Sequence, residues 1–158
     1  MKMQTNKFLS SLNAQCYNEE GWFIPLKQAL KDVSDKEFDF KPDKRLHSIR
    51  ELVNHILFWN ERWLMRMKGK EPASFNKSNE LTFKDSTKSL TKKQLTNRLL
   101  KNFNEWEKEL SKCKEEKMNR ILFKGTEYSA KWSEFISSMI LHNAYHLGQI
   151  MILKKYFK

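Results

Sequence analysis

The chain holds four histidines, His47, His55, His142 and His146, and the last two are spaced i,i+4. On a helix that spacing puts both rings on one face, one turn apart. Trp132, Phe135 and Met139 mark the same face as apolar and inward. Two imidazoles in such an interior cannot both carry charge, and each ring has nitrogens that need partners. A divalent cation satisfies both, because neutral imidazole is a good ligand for zinc or nickel first, and for cobalt, iron or manganese after them. An HxxxH pair alone also occurs as a surface pair or a satisfied core pair. His55 favours the metal: it adjoins Ile56, lies four residues before Trp59, and so sits near a second apolar stripe. Three histidines leave a tetrahedral ion one open position, the pattern of catalytic rather than structural sites.

The neighbours of these residues narrow the chemistry. Gln149 follows His146 by three residues, close enough on a helix to hydrogen-bond a ligand imidazole and fix its tautomer. Glu51 stands one turn before His55 and could support it in the same way, although Ser48 and Glu51 also form a capping box, which explains Glu51 more simply. Zinc peptidases of the HExxH type carry a glutamate after the first histidine; here that place is Asn143. With no carboxylate on the histidine stripe, thiol transfer suits the site better than peptidase chemistry, since a metal-activated thiolate needs no separate base. No catalytic residue beyond the metal set can be named. His47 precedes the Ser48 cap and is expected as an exposed loop histidine, remote from the other three.

Helices must position these side chains. Pro42, Gly69 with Pro72, and Gly125 cut the chain into four long pieces with helical periodicity. The first runs from about Asn6 to Val33, with Phe8, Leu9, Leu12 and Cys16 inward, then Trp22, Leu26, Ala29, Leu30 and Val33. Gly21 and Pro25 interrupt it, so it is either kinked or two helices, the second starting near Trp22. The second starts at the Ser48 cap, presents Leu52, Val53, Ile56, Trp59, Trp63 and Met67, and stops at Gly69. Lys70 to Leu90 lacks periodicity and reads as a long connection, a kind of segment that is usually functional or mobile. The third starts near Thr91 and carries Leu95, Leu99, Phe103, Trp106, Leu110 and Cys113. A small hairpin fits Met118 to Ala130, and the fourth piece runs from about Lys131 to Phe157. Four amphipathic faces closing on one another make an all-α four-helix bundle, here one domain over residues 1–158. The five tryptophans are expected in its core.

Composition excludes other classes. Four glycines and three prolines are too few for the turns of a β-sandwich or barrel, and the glycines never cluster into a phosphate loop. The net charge of +11 permits attraction to nucleic acid or anionic membranes, but basic residues alternate with acids, as in Lys114-Glu115-Glu116-Lys117. Neither nucleic acid nor membrane is therefore expected as a partner. Cys16 and Cys113 fit no metal or redox spacing, and Met1 to Ser10 has no leader pattern; a cytoplasmic protein is expected.

The segment Ser138-Met139-Ile140-Leu141-His142-Asn143-Ala144-Tyr145-His146-Leu147-Gly148-Gln149-Ile150, with Phe38-Asp39-Phe40-Lys41-Pro42 and Ser48 to Ile56, resembles the DinB-like family of four-helix bundles, which includes bacillithiol S-transferase type enzymes. That family places one histidine in its second helix and an HxxxH pair, often followed by Gly-Gln, in its last. His55, His142 and His146 match it, and the resemblance spans about Trp22 to Tyr156. It implies an up-down-down-up bundle with one divalent metal, often a homodimer. The expected function is a metal-dependent enzyme doing thiol transfer or hydrolysis on a small molecule, with a low-molecular-weight thiol as a candidate partner. The competing reading is a non-catalytic metal or small-ligand binding protein, stress-related in role.

Overall fold

A computed structural model describes residues 4–84, 90–125 and 129–157. Four long helices carry the architecture: α1 (Thr5–Tyr17), α4 (Ile49–Met67), α5 (Lys92–Lys112) and α7 (Trp132–Lys155). Between them lie the short helices α2 (Leu26–Lys31), α3 (Asp35–Asp39) and α6 (Glu115–Met118), a 3₁₀ turn at Asn79–Thr82, and a two-stranded antiparallel hairpin. The hairpin pairs β1 (Ile121–Leu122) with β2 (Ala130–Lys131), Ile121 opposite Lys131. Residues 85–89 of the long connection and 126–128 of the hairpin segment lie outside the described residues.

Side-chain pairs fix the direction of each long helix. Glu61 meets Arg98 and Lys68 meets Glu105, so numbering rises together and α4 and α5 run parallel. Asn6 meets Cys113 while Tyr17 stacks on Phe103, so α1 and α5 are antiparallel. His55 meets His146 while Trp63 meets Phe135, so α4 and α7 are antiparallel as well. The order is therefore up-down-down-up. Parallel α4 and α5 need a connection that crosses the length of the bundle, which is why the chain between them is long.

The helix starts follow their caps. Ser48 accepts from the backbone of Glu51 while the Glu51 carboxylate accepts from Ser48 N–H, and Thr91 with Gln94 repeats the box on α5. Gly69 takes a positive φ of 75° after α4, a conformation that glycine adopts without strain. The first piece is two helices, and the break falls later than the spacing predicts. Proline biases the residue before it to extended backbone and is at home at a helix start. Pro25 accordingly caps α2, and the chain before it is irregular. Trp22 consequently stands fully exposed, not in the core, and Phe8 is also largely exposed. Trp106 and Trp132 are buried, whereas Trp59 and Trp63 are only half-buried.

The core falls into two apolar clusters. One gathers Leu52, Val53, Ile56 and Leu57 of α4 with Leu147, Ile150 and Leu153 of α7. The other gathers Leu64 and Met67 with Ile136, Met139 and Ile140. On both helices the boundary is a buried asparagine. Asn60 Nδ2 donates to Asn143 Oδ1 at 2.8 Å and Asn143 Nδ2 donates back to Asn60 Oδ1 at 3.1 Å. This polar layer sets the register of α4 against α7.

Candidate metal centre

His55 projects from the middle of α4, and His142 and His146 from successive turns of α7. Because the two helices are antiparallel neighbours, the three rings converge. His142 Nε2 lies 3.0 Å from His55 Nε2 and 3.0 Å from His146 Nε2. Among the described residues these three form the only cluster of histidine, cysteine or carboxylate groups that could hold a metal ion.

The outer nitrogens decide what the inner ones present. Thr82 donates its hydroxyl hydrogen to Asn79 O at 2.6 Å, so its oxygen is left to accept from His55 Nδ1–H. Gln149 Oε1, which can only accept, lies 2.7 Å from His146 Nδ1, while Gln149 Nε2 donates to the Tyr145 hydroxyl at 3.2 Å. Both rings therefore carry their proton on Nδ1 and turn an Nε2 lone pair inward. A proton on His142 Nε2 can serve one of these lone pairs, not both. One buried acceptor is left over, and a cation at the meeting point satisfies all three. The spacing fits as well: ligands about 2.0–2.1 Å from a tetrahedral ion stand about 3.3 Å apart.

The rings are held neutral. Burial, then the neighbouring His146, His142 and His47, pushes His55 down to about 3. Burial, then His146, takes His142 down to about 4. Burial also lowers His146, against the raising effect of the Gln149 hydrogen bond. All three are free to act as neutral donors near pH 7.

His47 is not remote. Its ring stacks on Phe83 at 3.8 Å and 5°, and Phe83 stacks on His55 at 3.9 Å and 6°. The three rings form one pile, which braces the His55 ring from one face. The expectation of an isolated loop histidine fails because the connection after α4 folds back and inserts Phe83 between the two rings. Glu51 caps α4 and also meets Lys41 and, at 3.4 Å, His47 Nδ1. None of these three partners is a histidine of the cluster. Thr82 and Phe83 are both buried, yet nothing periodic marks them in the polar Lys70–Leu90 stretch, where the one local signal is Leu81 and Phe83 flanking Thr82 after Ser78. A cavity of about 340 Å³, lined by His47, Leu52, Gln149 and Leu153 among others, borders the site.

Fold and site together define an up-down-down-up helical bundle with a convergent three-histidine cluster between its second and fourth long helices. The chain belongs to the DinB superfamily, whose family model matches residues 26–150. Its fold is also that of YfiT from Bacillus subtilis, described as a probable metal-dependent hydrolase with an unusual four-helix bundle topology. The two superpose with a TM-score of 0.71 at 16% identity, over 97% of this chain and 85% of that one. No curated protein matches the sequence. Among the described residues no helix is long and apolar enough to cross a membrane.

Proposed function

We propose that the chain, acting as one domain over residues 1–158, is a divalent-metal-dependent enzyme for a small-molecule substrate, with His55, His142 and His146 as the metal ligands. The observation that carries this is the pair of outer hydrogen bonds, Thr82 to His55 and Gln149 to His146, which turn lone pairs toward one point. Zinc or nickel is the expected ion. Bound there, it supplies Lewis-acid character that brings a water or a thiol into the neutral range of ionisation. The protein's part is to orient the three rings, keep them unprotonated, and leave one side of the cluster open.

Thiol transfer is the chemistry we favour. No hydrogen bond or ion pair among the described residues brings a carboxylate to a cluster histidine, so the site has no obvious general base of its own. The description of YfiT supports hydrolysis instead, and one experiment separates the two. Untagged protein, purified without added metal, is analysed for bound zinc and nickel. It is then assayed for conjugation of a low-molecular-weight thiol to 1-chloro-2,4-dinitrobenzene and for hydrolysis of 4-nitrophenyl acetate, before and after chelation. Metal-dependent conjugation is the expected result. Ester hydrolysis alone moves the assignment to a hydrolase, and metal binding without turnover moves it to a non-catalytic binding protein.

A homodimer is part of the same proposal. Leu141, Tyr145, Ile152 and Tyr156 form a largely exposed apolar stripe along the outer face of α7. Light scattering should give twice the chain mass for the native protein and a monomer for Ile152→Glu; a native monomer removes this element.

A further inference from the structure

A second cavity, of about 1000 Å³, is lined by α4, residues 71–76 after it, the hairpin segment and Phe135 of α7. It is lined by the aromatic side chains of Trp59, Trp63, Phe75, Phe123 and Phe135, with Arg62 and Arg66 among them. That volume suits a drug-sized molecule, and aromatic walls with a few polar groups are the usual lining of a small-molecule site.

The charges in it do not balance. Arg66 Nε and Nη2 both bind Glu71 Oε1, at 3.2 and 2.8 Å, and Glu71 is the one carboxylate among the residues lining the cavity, against two guanidiniums. Arg62 donates Nη2 to Ala73 O at 2.6 Å and lies over the rings of Phe58 and Phe75, but makes no ion pair among the described residues. Its Nε is buried with no hydrogen-bond partner. Burial, then Arg66, lowers the guanidinium's pKa against the raising effect of Glu71. An unmatched guanidinium in an aromatic cleft is an anion receptor.

The backbone adds an independent sign. Phe123 has a positive φ of 51°, strained for an aromatic residue, and its ring reaches the cleft near Trp63 and Arg66. Strain of this kind gathers at ligand-binding sites, where the surrounding structure holds a side chain in place.

We propose that this cleft binds a small anion with a planar apolar body, an aromatic carboxylate being the simplest class, with the anion at Arg62 and the ring against the aromatic wall. The cleft also points toward the histidines. His55, Trp59, Arg62 and Arg66 are offset by four, seven and eleven residues, one face of α4, and Phe135 stands seven residues before His142 on antiparallel α7. At about 1.5 Å per residue, Arg62 lies about 10 Å along the axis from His55. A ligand of that length, anchored at Arg62, presents its far end to the cluster. This use of the cleft rests on the metal reading above; occupation of the cleft does not.

The test is calorimetric titration of the full-length chain, treated with EDTA, with 2-naphthoate and with its neutral counterpart 2-naphthalenemethanol. Saturable one-to-one binding of naphthoate, at least about tenfold tighter than the alcohol, is expected from a charge-assisted contact. Arg62→Gln should erase that difference. Phe123→Gly, which keeps the fold because glycine accepts the same φ, should weaken both ligands. Equal affinity for acid and alcohol, or naphthoate binding untouched by either substitution, overturns the proposal. Should Arg62→Gln fail to fold, Phe123→Gly decides the matter. Reloading with zinc or nickel then examines the metal reading separately: a protein that takes naphthoate but no metal keeps the cleft and loses the enzyme.

Discussion

Thr82 holds the proton of His55 on the nitrogen that faces away from the cluster, and Gln149 does the same for His146. Residues in this position usually carry about 10–100-fold in metal affinity, because without them the ring spends time in the wrong tautomer or orientation. Thr82→Val keeps the shape and removes the acceptor, so it should weaken zinc or nickel by about that factor while leaving the circular dichroism spectrum unchanged. Gln149→Glu should act in the opposite direction, since a carboxylate accepting from Nδ1–H makes Nε2 a stronger donor. Competition against a chromogenic chelator measures both. If Thr82→Val binds metal like the parent, the hydroxyl plays no orienting part. Legibility differs sharply among these residues. His142, His146 and Gln149 share one helix, and their relation is read from spacing alone. Thr82 and Phe83 reach His55 through a turn some 27 residues away in sequence with no periodicity to reveal it, so only the folded chain shows them.

The same division holds for the elements. Caps are local chemistry, and Ser48 with Glu51 therefore marks the start of α4 in the sequence as it does in the fold. The break after α1 is less local: glycine and proline announce an interruption, but where the next helix starts depends on which side of Pro25 is free of its steric demand. Least legible is the register of α4 against α7. Asn143 is conspicuous in the sequence only as the residue standing where a metallopeptidase has its glutamate. In the fold it is buried against Asn60 and divides the apolar core. Removing Asn143 leaves Asn60 Oδ1 buried without its donor, while Asn60 Nδ2 keeps Ile56 O, and an acceptor orphaned in this way costs about 1–3 kcal/mol. Asn143→Leu should therefore lower the denaturation midpoint clearly, whereas the double substitution with Asn60→Leu should recover part of the loss. The double variant should still bind metal more weakly than the parent, because apolar contacts hold register less strictly than a reciprocal pair. Parent-like metal affinity in the double variant removes the register role and leaves the pair a stability device.

At the scale of the molecule, acid couples the cluster to folding. His55 and His142 are pushed down to about 3 and 4, and His146 is lowered as well, while unfolded histidine titrates near about 6.5. Between those limits the unfolded chain binds more protons than the folded one, so stability is fully present above about 6.5 and is lost as pH falls toward 4. A bound ion adds to this. It stabilises by mass action because it binds the folded cluster and not the scattered histidines of the unfolded chain, and protons compete with it for the same nitrogens. The melting temperature of metal-loaded protein should accordingly exceed that of chelated protein at neutral pH, and the gap should close as pH drops below about 6. His142→Ala should remove the gap at every pH while keeping its helical content, since the two apolar clusters do not include that residue. It should also flatten the acid slope of the chelated protein, because one proton-binding difference between the folded and unfolded states is gone. Melting curves against pH, with and without chelator, on both proteins decide the matter. A gap that survives in His142→Ala places the metal elsewhere. A His142→Ala protein that cannot fold makes the ring part of the core, and its lone pair then serves packing rather than an open coordination site.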